Sequence, residues 1–185
     1  MTISSITRYF LHSIVRGVRH NYRNYKCYAS TGILLYGKSA VFFDSKNISI
    51  GGNFSMGIDC KFYAQDKSAK IFIGDNVSLN DNVTINADNE GYISIGSHVM
   101  IGPGTIMRAS NHNFGNISKP FTKQGHKCGI IKIKDNVWLG ANVIVLPDVL
   151  IGNNVVIGAG SVVTRDIPDN SLAVGSPARV IRTLI

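Results

Sequence analysis

The chain has 185 residues, enough for one repeat domain with caps, and nothing in it suggests a second domain. Its residues are 44% hydrophobic and only 16% charged, as suits a molecule that buries side chains along a continuous axis. The formal charge of +8 raises the question of nucleic acid, but no recognition motif accompanies it, and a small anionic partner explains it as well.

The N-terminal part reads differently from the rest. Ile3, Ile6, Phe10, Ile14 and Val18 recur at helical spacing, with Arg8, His12, Arg16, Arg19 and His20 mostly around them, so an amphipathic helix is expected over residues 3–20. The favoured reading of residues 1–45 is a helical cap and lead-in over the open end of the repeat. A basic helix in peripheral contact with an anionic membrane surface is the other. The arginines deny residues 1–20 the apolar core of a signal peptide, and no window approaches the about 20 apolar residues of a membrane span, so a cytoplasmic chain is expected.

From Ile50 onward an apolar residue returns every six positions. The cleanest run is Ile133, Leu139, Val145, Ile151, Ile157 and Val163, with Val137, Val143, Val149, Val155 and Ser161 four places after the first five. Earlier copies begin at Ile50, Ile73 and Ile95. Positions i and i+4 of an extended chain point to one side, so both face inward, and three six-residue faces close a triangular coil. The spacing excludes a globular helix, whose apolar stripe has a period of 3.6. An all-β parallel β-helix is therefore expected over residues 46–168. Residues 169–185 form a tail, with a short helix opened by Pro177.

Cys27, Cys60 and Cys128 are odd in number and irregularly spaced, and Cys60 takes an inward position, so reduced thiols are expected and neither a disulfide framework nor a metal site.

The interruptions carry the functional information. Ile50 to Ile73 is 23 residues, Ile73 to Ile95 is 22 and Ile95 to Ile133 is 38, whereas Ile133 to Ile151 is an uninterrupted 18. The excess over one coil leaves the prism each time after the third face, so three insertions share one edge. The longest, residues 113–132, follows His112 and carries Lys119, Lys123, His126, Lys127 and Lys132. Long insertions in repeat arrays gather on the functional face. One coil below lie Asp88 and Glu90, close enough, at about 4.8 Å per coil, for a carboxylate to orient the His112 imidazole as a general base. From pattern alone, a solvent-facing histidine and an ordinary solvated basic loop remain equally open.

Three blocks sharpen the reading: Asp135-Asn136-Val137-Trp138-Leu139-Gly140-Ala141-Asn142, then residues 157–168 (IGAGSVVTRDIP), then Gly175-Ser176-Pro177-Ala178-Arg179-Val180-Ile181-Arg182. From Ile73 onward the chain resembles the hexapeptide-repeat acyltransferases, in particular the galactoside and maltose O-acetyltransferases and those of bacterial surface polysaccharides. The resemblance implies a left-handed β-helix, a homotrimer, acetyl-CoA as donor and a single His base, with no metal. It matches His112 to the family's catalytic His and Ala141 to the position whose amide meets the acetyl group or pantetheine arm. It matches Ala159, Thr164 and Arg165 to coenzyme-contacting positions, with Arg165 in place of the more usual Lys, and Arg179 and Arg182 to tail residues near the coenzyme phosphates. Trp138 corresponds to a tryptophan beside the active site, and Asn80, or else Asn82, to an acceptor-binding Asn. Asn113-Phe114 after the His and the basic loop depart from the galactoside and maltose branch and weigh against a small neutral sugar.

His112 falls at the corner between faces three and one, whereas Asn80, Trp138 and Ala141 are expected at the corner between faces one and two, about 15–20 Å away. One reaction could use them all only if adjacent chains meet about a threefold axis. The implied chemistry is direct acetyl transfer to a sugar hydroxyl, with the imidazole, which titrates near neutral pH, taking the proton. N-acetylation of an amino sugar or sugar nucleotide, a three-His zinc site of the β-helix carbonic anhydrase kind built from His98, His112 and His126, and a non-catalytic scaffold are the rival readings.

Overall fold

The structure, a computed structural model, describes residues 40–43 and 45–185; the helix expected over residues 3–20 and Cys27 lie outside the described residues. Strand β1 (Ala40–Phe43) and a single 3-10 turn (Ser45–Asn47) lead into a chain that winds through three flat faces in succession. One coil is β2 (Ile48–Ile50), β3 (Ser55–Met56) and β4 (Cys60–Tyr63); the next is β5 (Lys70–Ile73), β6 (Ser78–Leu79) and β7 (Thr84–Asn86). The third is β8 (Tyr92–Ile95), β9 (Met100–Ile101) and β10 (Ile106–Arg108), after which a hairpin, β11 (Ser110–His112) and β12 (His126–Cys128), stands out from the prism. The winding resumes with β13 (Ile130–Ile133), β14 (Val137–Leu139) and β15 (Ile144–Val145), then β16 (Val149–Ile151), β17 (Val155–Ile157) and β18 (Val162–Val163), and closes on β19 (Ser171–Gly175) and β20 (Ala178–Thr183).

Stacked coils make three sheets. The first face is β2-β5-β8-β13-β16, the second β3-β6-β9-β14-β17-β19 with β20 beyond it, and the third β1-β4-β7-β10-β15-β18. Coil-to-coil pairing is parallel and in register with the hexads: Ile73, Ile95, Ile133 and Ile151 are successive partners on the first face, and Leu79, Ile101, Leu139 and Ile157 on the second. These residues and the small apolar side chains four places on are buried, each large one contributing about 1.5–3 kcal/mol of transfer free energy. The architecture is a parallel β-helix, as the six-residue periodicity implies, and the left-handed form is the one the family resemblance implies.

Corner residues hold one coil to the next. Asp75 Oδ1 accepts the Gly52 N–H at 2.6 Å, Asp135 that of Ser97 at 2.7 Å and Asp169 that of Asn153 at 2.8 Å. Asn53, Asn76, Asn136, Asn154 and Asn170, at equivalent places one residue on, have φ between 54° and 56°, the left-handed region that asparagine tolerates better than most residues.

Two expectations are corrected. The stack extends at both ends beyond residues 46–168: β1 pairs in parallel with β4, and β19 continues the second face. The tail forms no helix; β20 folds back antiparallel on β19 through a tight turn at Ser176-Pro177, with Gly175 at φ +103°. Val180, Ile181 and Thr183 are β-branched, and the edge of the second face offers their backbone ready partners, which outweighs the helix-opening preference of proline.

Candidate active site

The insertions do share one edge, between the third and first faces: residues 64–69, 87–91 and 109–129 each follow a third-face strand and precede a first-face one. The longest is an ordered hairpin, in which His112 pairs with His126, Asn111 with Lys127 and Ser110 with Cys128. Lys132 does not belong to it, because β13 has already rejoined the first face there. The hairpin tip is clipped by Gln124, whose Nε2 donates to the carbonyls of Asn116 and Lys119, both at 2.8 Å, and whose Oε1 accepts the Asn116 N–H at 3.1 Å. Asn113 Nδ2 donates to the Gln124 carbonyl at 3.0 Å.

Pairing across the hairpin lays two imidazoles together, with ring centroids 4.0 Å apart and planes tilted by 41°. His112 is exposed and lines an open cleft of about 770 Å³ between the hairpin and the coils above it. Phe114, Lys119 and Lys123 line its hairpin side, Leu146 and Pro147 its floor, and Thr164 its upper end. Thr164 and His112 are thus brought to one cavity within one chain.

The carboxylates expected to orient His112 do not do so. Asp88 turns toward the preceding coil, where its Oδ1 accepts the Gln65 N–H at 2.7 Å, as the corner aspartates elsewhere do. Glu90 is exposed in a left-handed turn at φ 65° and makes no hydrogen bond among the described residues. The neighbour of His112 is another imidazole. The sequence offered His126 as a basic residue of the loop and as one arm of a three-His zinc site, not as the ring beside His112; the pairing depends on hairpin register.

Asn80, Asn82, Ala141 and Ala159 lie on a different edge, and it is not the one expected. All four follow second-face strands and sit where that face turns into the third. Asn80 stacks under Gly102, which stacks under Gly140, so Asn80 is two coils, about 10 Å, below Ala141. The N–H groups of Ala141 and Ala159 donate to nothing among the described residues, whereas the amides of Gly140 and Asn142 beside them are engaged. Trp138 is not on a corner at all; it projects, 52% exposed, from the middle of the second face between Met100 and Val156. A hollow of about 410 Å³ there is lined by Trp138, His98, Met100, Leu184 and Ile185. His98 is therefore on a face apart from His112 and His126. Among the described residues no three His, Cys, Asp or Glu side chains are grouped to hold a metal ion, and no helix is long and apolar enough to cross a membrane.

Arg165 follows Thr164 on the cleft edge, while Arg179 and Arg182 lie on β20; all three are exposed and none is ion-paired among the described residues. Uncompensated guanidiniums suit phosphate oxygens, which they can grip through two parallel N–H bonds.

This combination of hexad prism, edge histidine and free corner amides defines a class, and comparison with known proteins identifies it. Residues 130–165 match the family described as bacterial transferase hexapeptide (six repeats). WbbJ of Escherichia coli (strain K12), named as a proposed lipopolysaccharide biosynthesis O-acetyl transferase, is 36% identical over 143 residues, which cover 74% of this chain and 71% of WbbJ. Galactoside O-acetyltransferase of Lactococcus lactis is 43% identical over 124 residues, 66% of this chain and 58% of that enzyme. Among solved structures, AntD, an N-acyltransferase from Bacillus cereus in complex with dTDP and 3-hydroxybutyryl-CoA, superposes with a TM-score of 0.69 at 26% identity, covering 80% of this chain and 79% of AntD. The chain belongs to the hexapeptide-repeat acyltransferase family. It spans about half the length of several of its relatives, including 55% of the E. coli galactoside O-acetyltransferase.

Proposed function

We propose that the protein transfers an acetyl group from acetyl-CoA to a hydroxyl of a sugar or of a bacterial surface polysaccharide unit, with His112 as general base. The observation that carries this reading is the exposed His112 imidazole opening on a cleft that also reaches Thr164. An alcohol is a weak nucleophile near neutral pH, so its proton must leave as its oxygen attacks the thioester carbonyl. His112 takes that proton and returns it to the departing thiolate. The free N–H of Ala141 is the donor for the tetrahedral oxyanion; losing such a donor costs about 10²–10³ in rate. Arg165, Arg179 and Arg182 hold the donor's phosphates, with Ala159 and Thr164 along its arm.

His112 and Ala141 lie on different edges of one prism, so one reaction can use both only where the His112 edge of one chain meets the Ala141 edge of the next. A cyclic homotrimer closes such contacts. Asn80, with Asn82 as second choice, and Trp138 then contribute to the acceptor side from the neighbouring chain. The protein acts in the cytoplasm.

Replacing His112 by Ala is expected to abolish acetyl-CoA-dependent thiol release while acetyl-CoA still raises the melting temperature. Turnover at the wild-type rate in that variant sinks the assignment. The likeness to AntD favours one second reading, N-acylation of an amino sugar; an ester product is released by mild base and an amide is not.

A further inference from the structure

The cleft beside His112 carries more positive charge than the coenzyme residues account for. Lys119, Lys123 and Lys127 all line it. Lys127 is compensated by Asp148, 3.3 Å away and the sole carboxylate of the lining, whereas Lys119 and Lys123 have no ionic partner among the described residues. The segment bearing these two is not a free loop. Besides the Gln124 clip, Asn116 Oδ1 accepts the Ser118 N–H at 2.9 Å, the Lys119 N–H donates to the Asn116 carbonyl at 3.1 Å and the Lys123 N–H to the Pro120 carbonyl at 2.9 Å. The backbone that carries both lysines is thereby fixed beside one cavity. Two like charges lining one cavity attract an anion to it, and the backbone that carries them needs no ordering when it binds. Of the guanidiniums suited to the donor's phosphates, Arg165 follows Thr164 at the edge of the cleft without lining it, and Arg179 and Arg182 lie on β20. Phe114 adds an apolar ring, 73% exposed, to the same wall.

We propose that this cleft takes an anionic sugar, one bearing a carboxylate or a phosphate, with the anion on Lys119 and Lys123 and a hydroxyl directed to His112. That assignment rests on reading the cleft as the acceptor side of an acetyl-transfer site.

The test compares methyl galactoside, galacturonic acid and galactose 1-phosphate as ligands of the full chain, by calorimetry and by thiol release with acetyl-CoA. At least one of the acids is expected to bind about tenfold or more tightly than the neutral sugar, with a preference that fades as salt rises; which acid gains more separates carboxylate from phosphate. The double variant Lys119→Gln/Lys123→Gln should lose the preference and keep its affinity for acetyl-CoA. Equal binding of neutral and acidic sugars overturns the proposal. So does a double variant that loses acetyl-CoA and keeps its preference for the acid, because the lysines then serve the donor's phosphates. A salt-sensitive preference for acids without thiol release from any of them supports the anion site and overturns acetyl transfer, so the two readings fail separately.

Discussion

At the level of single side chains, what surrounds His112 matters more than its identity. An exposed imidazole has two free torsions, and a general base must hold its nitrogen within hydrogen-bond reach of a hydroxyl. The His126 ring, 4.0 Å away, restricts those torsions by contact, and aromatic pairs of this kind are worth about 0.5–1.5 kcal/mol beyond the area they bury. With His112 as the proposed base, His126 is expected to act as a positioning residue. Replacing it by Ala is expected to lower kcat by about 2- to 10-fold with KM for acetyl-CoA unchanged, and His126→Phe, which restores a ring, should recover most of the loss. If Phe is as poor as Ala, stacking is not what His126 supplies. The two described cysteines contrast in the same way. Cys60 is fully buried and burial pushes its thiol pKa up, while Cys128 is exposed at the hairpin base. Brief alkylation of the native protein followed by peptide mass spectrometry should modify Cys128 and leave Cys60 untouched, because the thiolate is the reactive form.

Among the elements, the coil corners set the spacing of the edges that carry the site. Gly102 leaves no room for a side chain: a Cβ there would lie 2.5 Å from the Gly140 carbonyl carbon and 2.6 Å from the Ala141 nitrogen. Gly102→Ala must push two coils apart at the Ala141 edge, and a cost of about 1–3 kcal/mol is expected in urea unfolding, with transfer activity falling further than stability. Asp169 closes the upper end of the corner ladder. The Asn153 backbone N–H, then its side-chain amide and Lys134, hold its carboxyl below the ordinary value of 3.8. A depressed carboxyl stabilises the fold above its unfolded pKa and loses that contribution as pH falls through its folded one. The melting-temperature gap between wild type and Asp169→Ala should therefore be present at pH 7 and close below pH 3.8. These corner contacts also explain what was legible in the sequence. The hexad gave the faces, and counting residues between Ile95 and Ile133 placed the His112 insertion on its correct edge, because strand alternation leaves no freedom there. Counting from the apolar residue placed Ala141 and Asn80 one corner early, since that residue ends a strand instead of starting one. Asp88 was misread because its true partner, the Gln65 amide, belongs to the coil below, and no repeat pattern displays a hydrogen bond between coils. Pairing of His112 with His126 depends on hairpin register, which the basic composition of the loop hid.

For the molecule as a whole, the distribution of groups over edges and faces poses the sharpest question. One chain presents His112 on the edge between third and first faces and the free Ala141 amide on the edge between second and third. It also leaves Met100 and Trp138, 53% and 52% exposed, side by side on the second face, and unpaired apolar groups of that size suit a contact surface. If chains pack head to tail about a threefold axis, each site takes His112 from one subunit and Ala141 from the next, and two crippled variants can repair each other. His112→Ala supplies an intact Ala141 edge; Ala141→Phe, which fills the approach to the amide, supplies an intact His112 edge. Each is expected to be inactive alone. After unfolding and refolding together in equal amounts, random assembly puts an intact His112 edge against an intact Ala141 edge at about a quarter of the interfaces, so about a quarter of wild-type activity should return. A site complete within one chain gives no recovery, since every chain in the mixture carries one lesion, and a monomer by light scattering gives the same answer without any assay.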